Sequence, residues 1–135
     1  HYLGDACQPL HVSKLHHGRP GHADEANVHS VYETAMLDRR AAELVAGVNA
    51  AVGGGKAPAK SFKGGAAAAH ATVELMRKTL TLIPPMEVID AYNAEEGRRR
   101  IEHMWDVLGK RTCKTIARGS PSERSRSLCG RVGVA

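Results

Sequence analysis

The chain has 135 residues, which fits a single domain, with 42% hydrophobic and 4% aromatic residues and a formal net charge of +5. No run of about eighteen apolar residues occurs, so the sequence predicts no membrane-spanning helix. Residues 1 to 109 carry twelve basic and thirteen acidic side chains, whereas residues 110 to 135 carry seven basic and one acidic, so the excess positive charge belongs to the C-terminal part alone.

The first predicted element is a short helix that ends at a proline. Apolar residues along most of the chain recur at intervals of three and four, which predicts an all-α fold of several helices. Pro9 disfavours helical geometry in Gln8 and has no N–H to donate, so we expect the first helix to end near these two residues. His11 then lies on a new segment. Residues 12 to 27 contain Gly18, Pro20 and Gly21 and are predicted to form a loop.

A second helix is predicted from Val28 to about Val48, on an apolar stripe of Val28, Val31, Ala35, Ala42 and Val45. Residues 53 to 65 are rich in glycine and lysine and are predicted to be a flexible surface insertion. A helix on the stripe Ala69, Val73, Met76 and Leu80 should end at Pro84, and Pro85 can open a short helix through Ile89 and Tyr92.

The last predicted helix is long and amphipathic and ends at about Arg118. Its stripe consists of Ile101, Met104, Trp105, Leu108, Thr112 and Thr115. Apolar stripes are interpreted as core rather than as ligand contacts, and Tyr2, Tyr32 and Trp105 are interpreted as core residues, with stacking on a base as the alternative. Residues 120 to 135 have no helical period and many small residues, so we expect a disordered basic tail. That tail is either a solvated end or a contact for phosphate backbones. The sequence thus predicts one helical unit at 1 to 119 and a tail.

Histidines and carboxylates near the start of the chain have the spacing of a metal site. His1 and Asp5 are four positions apart, as are His29 and Glu33, and residues at this spacing share one face of a helix. Such pairs build helical zinc sites, and zinc serves phosphodiester hydrolysis by activating water and neutralising charge. His11 adds a fifth ligand to this set. The loop histidines His16, His17 and His22 are interpreted as solvated, with the rim of a substrate cleft as the alternative.

A resemblance supports this interpretation. Positions 1 to 11 read HYLGDACQPLH and positions 29 to 33 read HSVYE, which resembles the zinc-dependent phospholipase C and single-strand nuclease superfamily, whose members include the fungal nucleases S-one and P-one. The likeness covers positions 1 to 36, and the wording of the motif is closer to the nuclease branch. It implies an all-helical bundle with three zinc ions in a cleft, of which this chain would lack the N-terminal part.

The resemblance also implies a role for each matching residue. His11, His29 and Glu33 would form one complete zinc site, Asp5 would be the catalytic carboxylate that bridges two further ions, and His1 would bind one of that pair. Gln8 would hold the orientation of a ligand. The other ligands of the superfamily would lie upstream, so about one zinc is expected for this chain alone.

The function expected from the resemblance is zinc-dependent hydrolysis of phosphodiester bonds, chiefly as an endonuclease on single-stranded DNA or RNA. Two alternatives remain open, a phospholipase C-like enzyme acting on a lipid phosphodiester and a non-catalytic zinc-binding helical module. Single-stranded nucleic acid is the expected partner, with phospholipid as the alternative. The resemblance further implies secretion or a periplasmic location.

Overall fold

A computed structural model of the chain describes residues 2–52 and 63–119, and within these ranges it contains helices and turns but no strand. The prediction of an all-α fold is confirmed. None of the helices in the described ranges is long and apolar enough to cross a bilayer. The elements are α1 (Tyr2–Ala6), a 3₁₀ turn (Ala23–Glu25), α2 (Val28–Ser30), a π-helical turn (Val31–Ala35), α3 (Met36–Arg39), α4 (Ala41–Val52), α5 (Gly64–Leu82), α6 (Pro85–Asn93) and α7 (Gly97–Gly119).

Helix α7 organises the packing, since it contacts α4, α5, α6, α1 and the π-helical turn. Its predicted stripe is confirmed, because Met104, Leu108, Thr112 and Thr115 are all buried. The main core cluster joins the turn after α1, α2, the π-helical turn, α3, the end of α5, α6 and α7. Its buried members are Leu10, Val28, Tyr32, Met36, Ile83, Val88, Ile89, Ala91, Tyr92, Met104 and Leu108. Burial of these side chains is what fixes the helices against α7.

Prolines set the helix boundaries that the sequence predicts. Helix α1 ends at Ala6, ahead of Pro9, and His11 lies in the turns that follow. Pro85 opens α6 with Pro84 as its extended N-cap residue. Helix α1 is held against α5, because the hydroxyl of Thr79 donates to the Ala6 carbonyl at 2.8 Å.

The predicted single helix from Val28 to Val48 is wrong, because the segment is divided twice. A π-helical turn occupies Val31–Ala35, and the helix is interrupted at Arg40, whose φ of −113° and ψ of 26° lie outside helical geometry. The extra residue in the π-turn changes the buried face. Val28, Tyr32 and Met36 enter the core, whereas Val45 of the predicted stripe is 60% exposed.

Helix α5 begins earlier than predicted and buries a different face. It starts at Gly64, inside the predicted insertion, of which residues 53–62 lie outside the described part of the chain. Leu75 and Thr79 are buried because α1 packs on that side, while Val73 of the predicted stripe is exposed. The tail at 120–135 also lies outside the described residues. The division into a helical unit and a tail therefore stays a prediction.

Candidate metal centre

Two chain segments meet at a polar cluster. His11 lies in the turns after α1, whereas His29 lies in α2 and Glu33 in the π-helical turn. Gln8 joins the segments. Its Oε1 accepts a hydrogen bond from the Leu10 N–H at 2.6 Å, and its Nε2 donates to Glu33 Oε2 at 3.2 Å. Gln8 thus contacts a predicted ligand, which is the position expected of a residue that orients it.

Three donor atoms converge at the centre of this cluster. His29 Nε2 lies 2.6 Å from His11 Nε2 and 2.8 Å from Glu33 Oε2, and His11 Nε2 lies 3.2 Å from the same carboxylate oxygen. A neutral imidazole has one N–H, so hydrogen bonds among these groups leave lone pairs facing one another. Two imidazole nitrogens and a carboxylate oxygen are ligands that zinc accepts. The i and i+4 spacing of His29 and Glu33 does bring them together, although within a π-turn.

Asp5 contacts the other nitrogen of His11. Its Oδ1 lies 3.0 Å from His11 Nδ1, so an N–H at Nδ1 can donate to the carboxylate. That tautomer leaves the lone pair of His11 Nε2 directed at His29 and Glu33. The metal-bridging role of Asp5 stays a prediction. His1, its predicted companion ligand, lies outside the described residues.

His16 also belongs to the cluster, and the interpretation of this residue as a solvated loop histidine is wrong. Its ring centroid lies 4.2 Å from that of His29 and 5.4 Å from that of His11. Its Nε2 is buried and has no hydrogen-bond partner. Burial, followed by the neighbouring charges of His29, His17 and His11, lowers the pKa of His16. The only signal in the sequence was the density of histidines in this loop, because no helical spacing relates His16 to the others. His17 and His22 are exposed, as expected.

A cleft of about 340 Å³ adjoins the cluster. Its polar side carries Asp5, Gln8, His11 and Glu33, and its apolar side includes Leu37 and Ile116. Tyr32 lines it as well, yet this residue is 2% exposed, so the prediction that it packs in the core is confirmed. Its hydroxyl pairs with Thr112 Oγ1 at 2.9 Å, and burial raises the pKa of Tyr32 to about 12. Trp105 packs against the main core cluster, whereas the prediction is wrong for Tyr2, which is 82% exposed.

A second group with metal-ligand spacing consists of His22, Asp24 and Glu25. Here the Glu25 carboxylate is fully buried and already paired. Arg19 donates to it from Nη2 at 2.6 Å, from Nε at 2.9 Å and from its backbone N–H at 2.7 Å, and Asn93 Nδ2 donates at 2.7 Å. The hydrogen bonds from Arg19 hold the pKa of Glu25 at about 2. The guanidinium group therefore occupies the place that a cation would take.

Comparison with known proteins found one curated relative from Bradyrhizobium tropiciagri, named as a probable serine protease. The two sequences are 37% identical over 139 aligned positions, which cover 89% of this chain and 18% of the relative. The chain therefore spans less than a fifth of that protein's length. No protein-family model and no solved structure matches the chain.

This finding overturns the resemblance to the zinc-dependent phospholipase C and single-strand nuclease superfamily. The relative has a serine protease name, and no family model supports a nuclease or a phospholipase C. The expected function as a phosphodiester hydrolase is accordingly wrong, and the alternative of a non-catalytic zinc module gains no support either. The physical reason is that a few histidines and carboxylates at helical spacing can be built into unrelated proteins, so such a motif does not define a reaction.

Proposed function

We propose that this chain is a segment of a larger hydrolase and that it binds one divalent cation, with His11, His29 and Glu33 as ligands. The observation that carries the proposal is the convergence of their three donor atoms, separated by 2.6 to 3.2 Å. Two imidazoles and one carboxylate suit zinc. The hydrolase part is supported by the name of the relative, a probable serine protease.

Exposure of the ligands favours a reactive site over a closed structural one. The side chains of His11 and His29 are 22% and 26% exposed, and that of Glu33 is 41% exposed. The adjoining cleft gives room for a substrate group beside them. A cation held there by His11, His29 and Glu33 would supply Lewis-acid chemistry for hydrolysis. The protein's own part is to direct the ligands, since Asp5 contacts Nδ1 of His11 and Gln8 Nε2 donates to Glu33 Oε2.

A serine nucleophile is a less suitable partner for this cluster. The contact of Asp5 with His11 has the form of a carboxylate and histidine pair in a serine hydrolase. The remaining nitrogen of His11, however, faces His29 and Glu33. In the described part of the chain, the two serine hydroxyls donate to backbone carbonyls, Ser13 to Leu10 and Ser30 to Asn27. We therefore propose that the cluster acts through a cation.

The test uses the longer parent protein and a protein substrate such as casein. We expect the chelator dipicolinate to abolish hydrolysis, zinc to restore it, and His29→Ala to remove it. His22→Ala, which changes an exposed histidine of the loop, is the matched control and should retain activity. Hydrolysis that resists the chelator and His29→Ala but is blocked by a serine-directed fluorophosphonate would show that the cluster is not the hydrolytic centre.

A further inference from the structure

We infer that His16 supplies a third imidazole nitrogen to the cation of the site proposed above. The inference rests on that site and adds a ligand to it. The donor set then becomes His11, His16, His29 and Glu33. Zinc is commonly four-coordinate and can expand to five, so a position for a substrate oxygen remains.

The arrangement of the three rings permits a shared ion. The ligand atoms of His11, His16 and His29 all lie within 4.8 Å of one another. The His16 ring is inclined by 70° to that of His29 and by 74° to that of His11, so both pairs are T-shaped. Each bond from zinc to nitrogen is about 2.0 to 2.1 Å long, so two nitrogens on one ion lie at most about 4 Å apart. Because their separation is at most 4.8 Å, the three nitrogens need to approach one another by less than about 1 Å to bind one ion.

The environment of His16 lacks the partner that such a group needs. Its Nε2 is buried without a hydrogen bond, although buried polar groups in proteins are nearly always paired. The Nε2 atoms of the neighbouring His11 and His29 are directed at each other and at the Glu33 carboxylate, so neither of them pairs with His16. A cation at the centre of the cluster would pair this nitrogen and the lone pairs of His11 and His29 together.

The loop that carries His16 is anchored on both sides. Ahead of it, Ser13 Oγ donates to the Leu10 carbonyl and accepts from the Leu15 N–H at 3.1 Å. Behind it, Gly18 has a φ of +86° and packs so closely on Glu25 that an added Cβ would lie 2.3 Å from the Glu25 Cβ. These contacts fix the backbone at His16, so its position beside the cluster is part of the fold.

The experiment measures zinc binding to the 135-residue chain by competition with a chromophoric chelator. We expect His16→Ala to weaken binding by at least about tenfold, since even residues that only orient a ligand change affinity 10- to 100-fold. His22→Ala, which changes an exposed histidine of the same loop without a ring contact to His16, is the control and should change affinity less than about twofold. With cobalt in place of zinc, the visible absorption bands should shift in His16→Ala and not in His22→Ala.

A second measurement needs no variant. Long-range nitrogen-15 spectra of the unsubstituted chain should show ring nitrogens of His11, His16 and His29 moving together as one equivalent of zinc is added. Unchanged His16 resonances, or zinc affinity and a cobalt spectrum in His16→Ala equal to those of the unsubstituted chain, would overturn the role of His16 while leaving the site at His11 and His29. Absence of zinc binding by the unsubstituted chain would overturn the site itself.

Discussion

Glu25 and Glu33 lie eight positions apart and have opposite surroundings. The Glu25 carboxylate is buried and receives hydrogen bonds from Arg19 and Asn93, so the chain itself supplies its counter-charge. The Glu33 carboxylate is 41% exposed and faces His11 and His29. The Glu25 carboxylate thus has its counter-charge within the fold. The Glu33 carboxylate faces two imidazoles, which supply a positive charge only when they are protonated or bind a cation.

The presence or absence of a paired cationic side chain distinguishes a structural cluster, at Glu25, from a binding cluster, at Glu33. The residue types alone do not distinguish them. Both groups contain histidine and carboxylate atoms close enough to suggest a metal site. At Glu25 the guanidinium of Arg19 fills that place, and the pair fastens the loop to α6 through Asn93. At Glu33 no arginine or lysine is paired with the carboxylate among the described residues. We therefore expect changes at Glu25 to act on stability and changes around Glu33 to act on binding.

The largest expected effect is on stability. Glu25→Gln removes the negative charge that pairs with Arg19 and should lower the free energy of unfolding by about 3 kcal/mol, near the lower end for a broken buried pair because Arg19 is partly exposed. The measurement is the urea midpoint of the 135-residue chain. Asp24→Asn, at the exposed neighbouring position, should change it by less than about 0.5 kcal/mol. Equal effects of the two variants would contradict a specific structural role for Glu25.

Zinc affinity should depend on the other cluster. His11→Ala removes a proposed ligand and should weaken zinc binding by about 100-fold, equivalent to about 2.7 kcal/mol, as measured by calorimetric titration. His22→Ala, an exposed histidine of the Glu25 group, serves as the control and should leave affinity unchanged. A loss of zinc affinity in His22→Ala as large as that in His11→Ala would contradict the assignment of the cation to the Glu33 cluster.

Acid should weaken the fold through Glu25. Its pKa is lowered from 4.5 to about 2, chiefly by hydrogen bonds from Arg19. A carboxylate with a lowered pKa in the folded state contributes stability above its unfolded pKa and loses that contribution as the pH falls through its folded pKa. The difference in unfolding free energy between the unsubstituted chain and Glu25→Gln should thus shrink from about pH 5 to pH 2. Urea unfolding at stepped pH values measures it, and a difference that stays constant would contradict the assignment.

The smallest predicted effect concerns Asp5, which contacts the far nitrogen of His11. If it orients that ring, Asp5→Asn should weaken zinc binding only about tenfold, because a carboxylate behind a ligand tunes the ligand. Calorimetric titration beside His11→Ala gives the comparison. A loss as large as that of His11→Ala would instead show that Asp5 binds a cation directly, which is the bridging role that the sequence motif suggested.

Helix boundaries that are set by the residues at the boundary itself could be predicted from the sequence. Pro9 and Pro85 set boundaries through their own geometry, and the stripe on α7 is long enough to reveal its buried face. The interruption of the helix at Arg40 could not be predicted, because it coincides with contacts to a residue far away in the sequence. Arg39 Nε pairs with Glu102 of α7 at 2.9 Å, and Arg40 pairs with the same carboxylate.

The site was predictable in part for a similar reason. The pair His29 and Glu33 share a helical segment, so their spacing indicated their contact. His16 reaches the same cluster through the path of a loop that Arg19 and Glu25 hold in place, and no periodicity encodes that path. The reaction itself could not be predicted from the motif, since the same ligand types serve different hydrolases.

The most direct test is diffraction at the zinc edge from crystals of the 135-residue chain grown with zinc. An anomalous peak is expected between the Nε2 atoms of His11 and His29 and the carboxylate of Glu33, and none beside Glu25. A peak at Glu25, or a cluster of His11, His29 and Glu33 that holds no anomalous scatterer in the presence of zinc, would contradict the account.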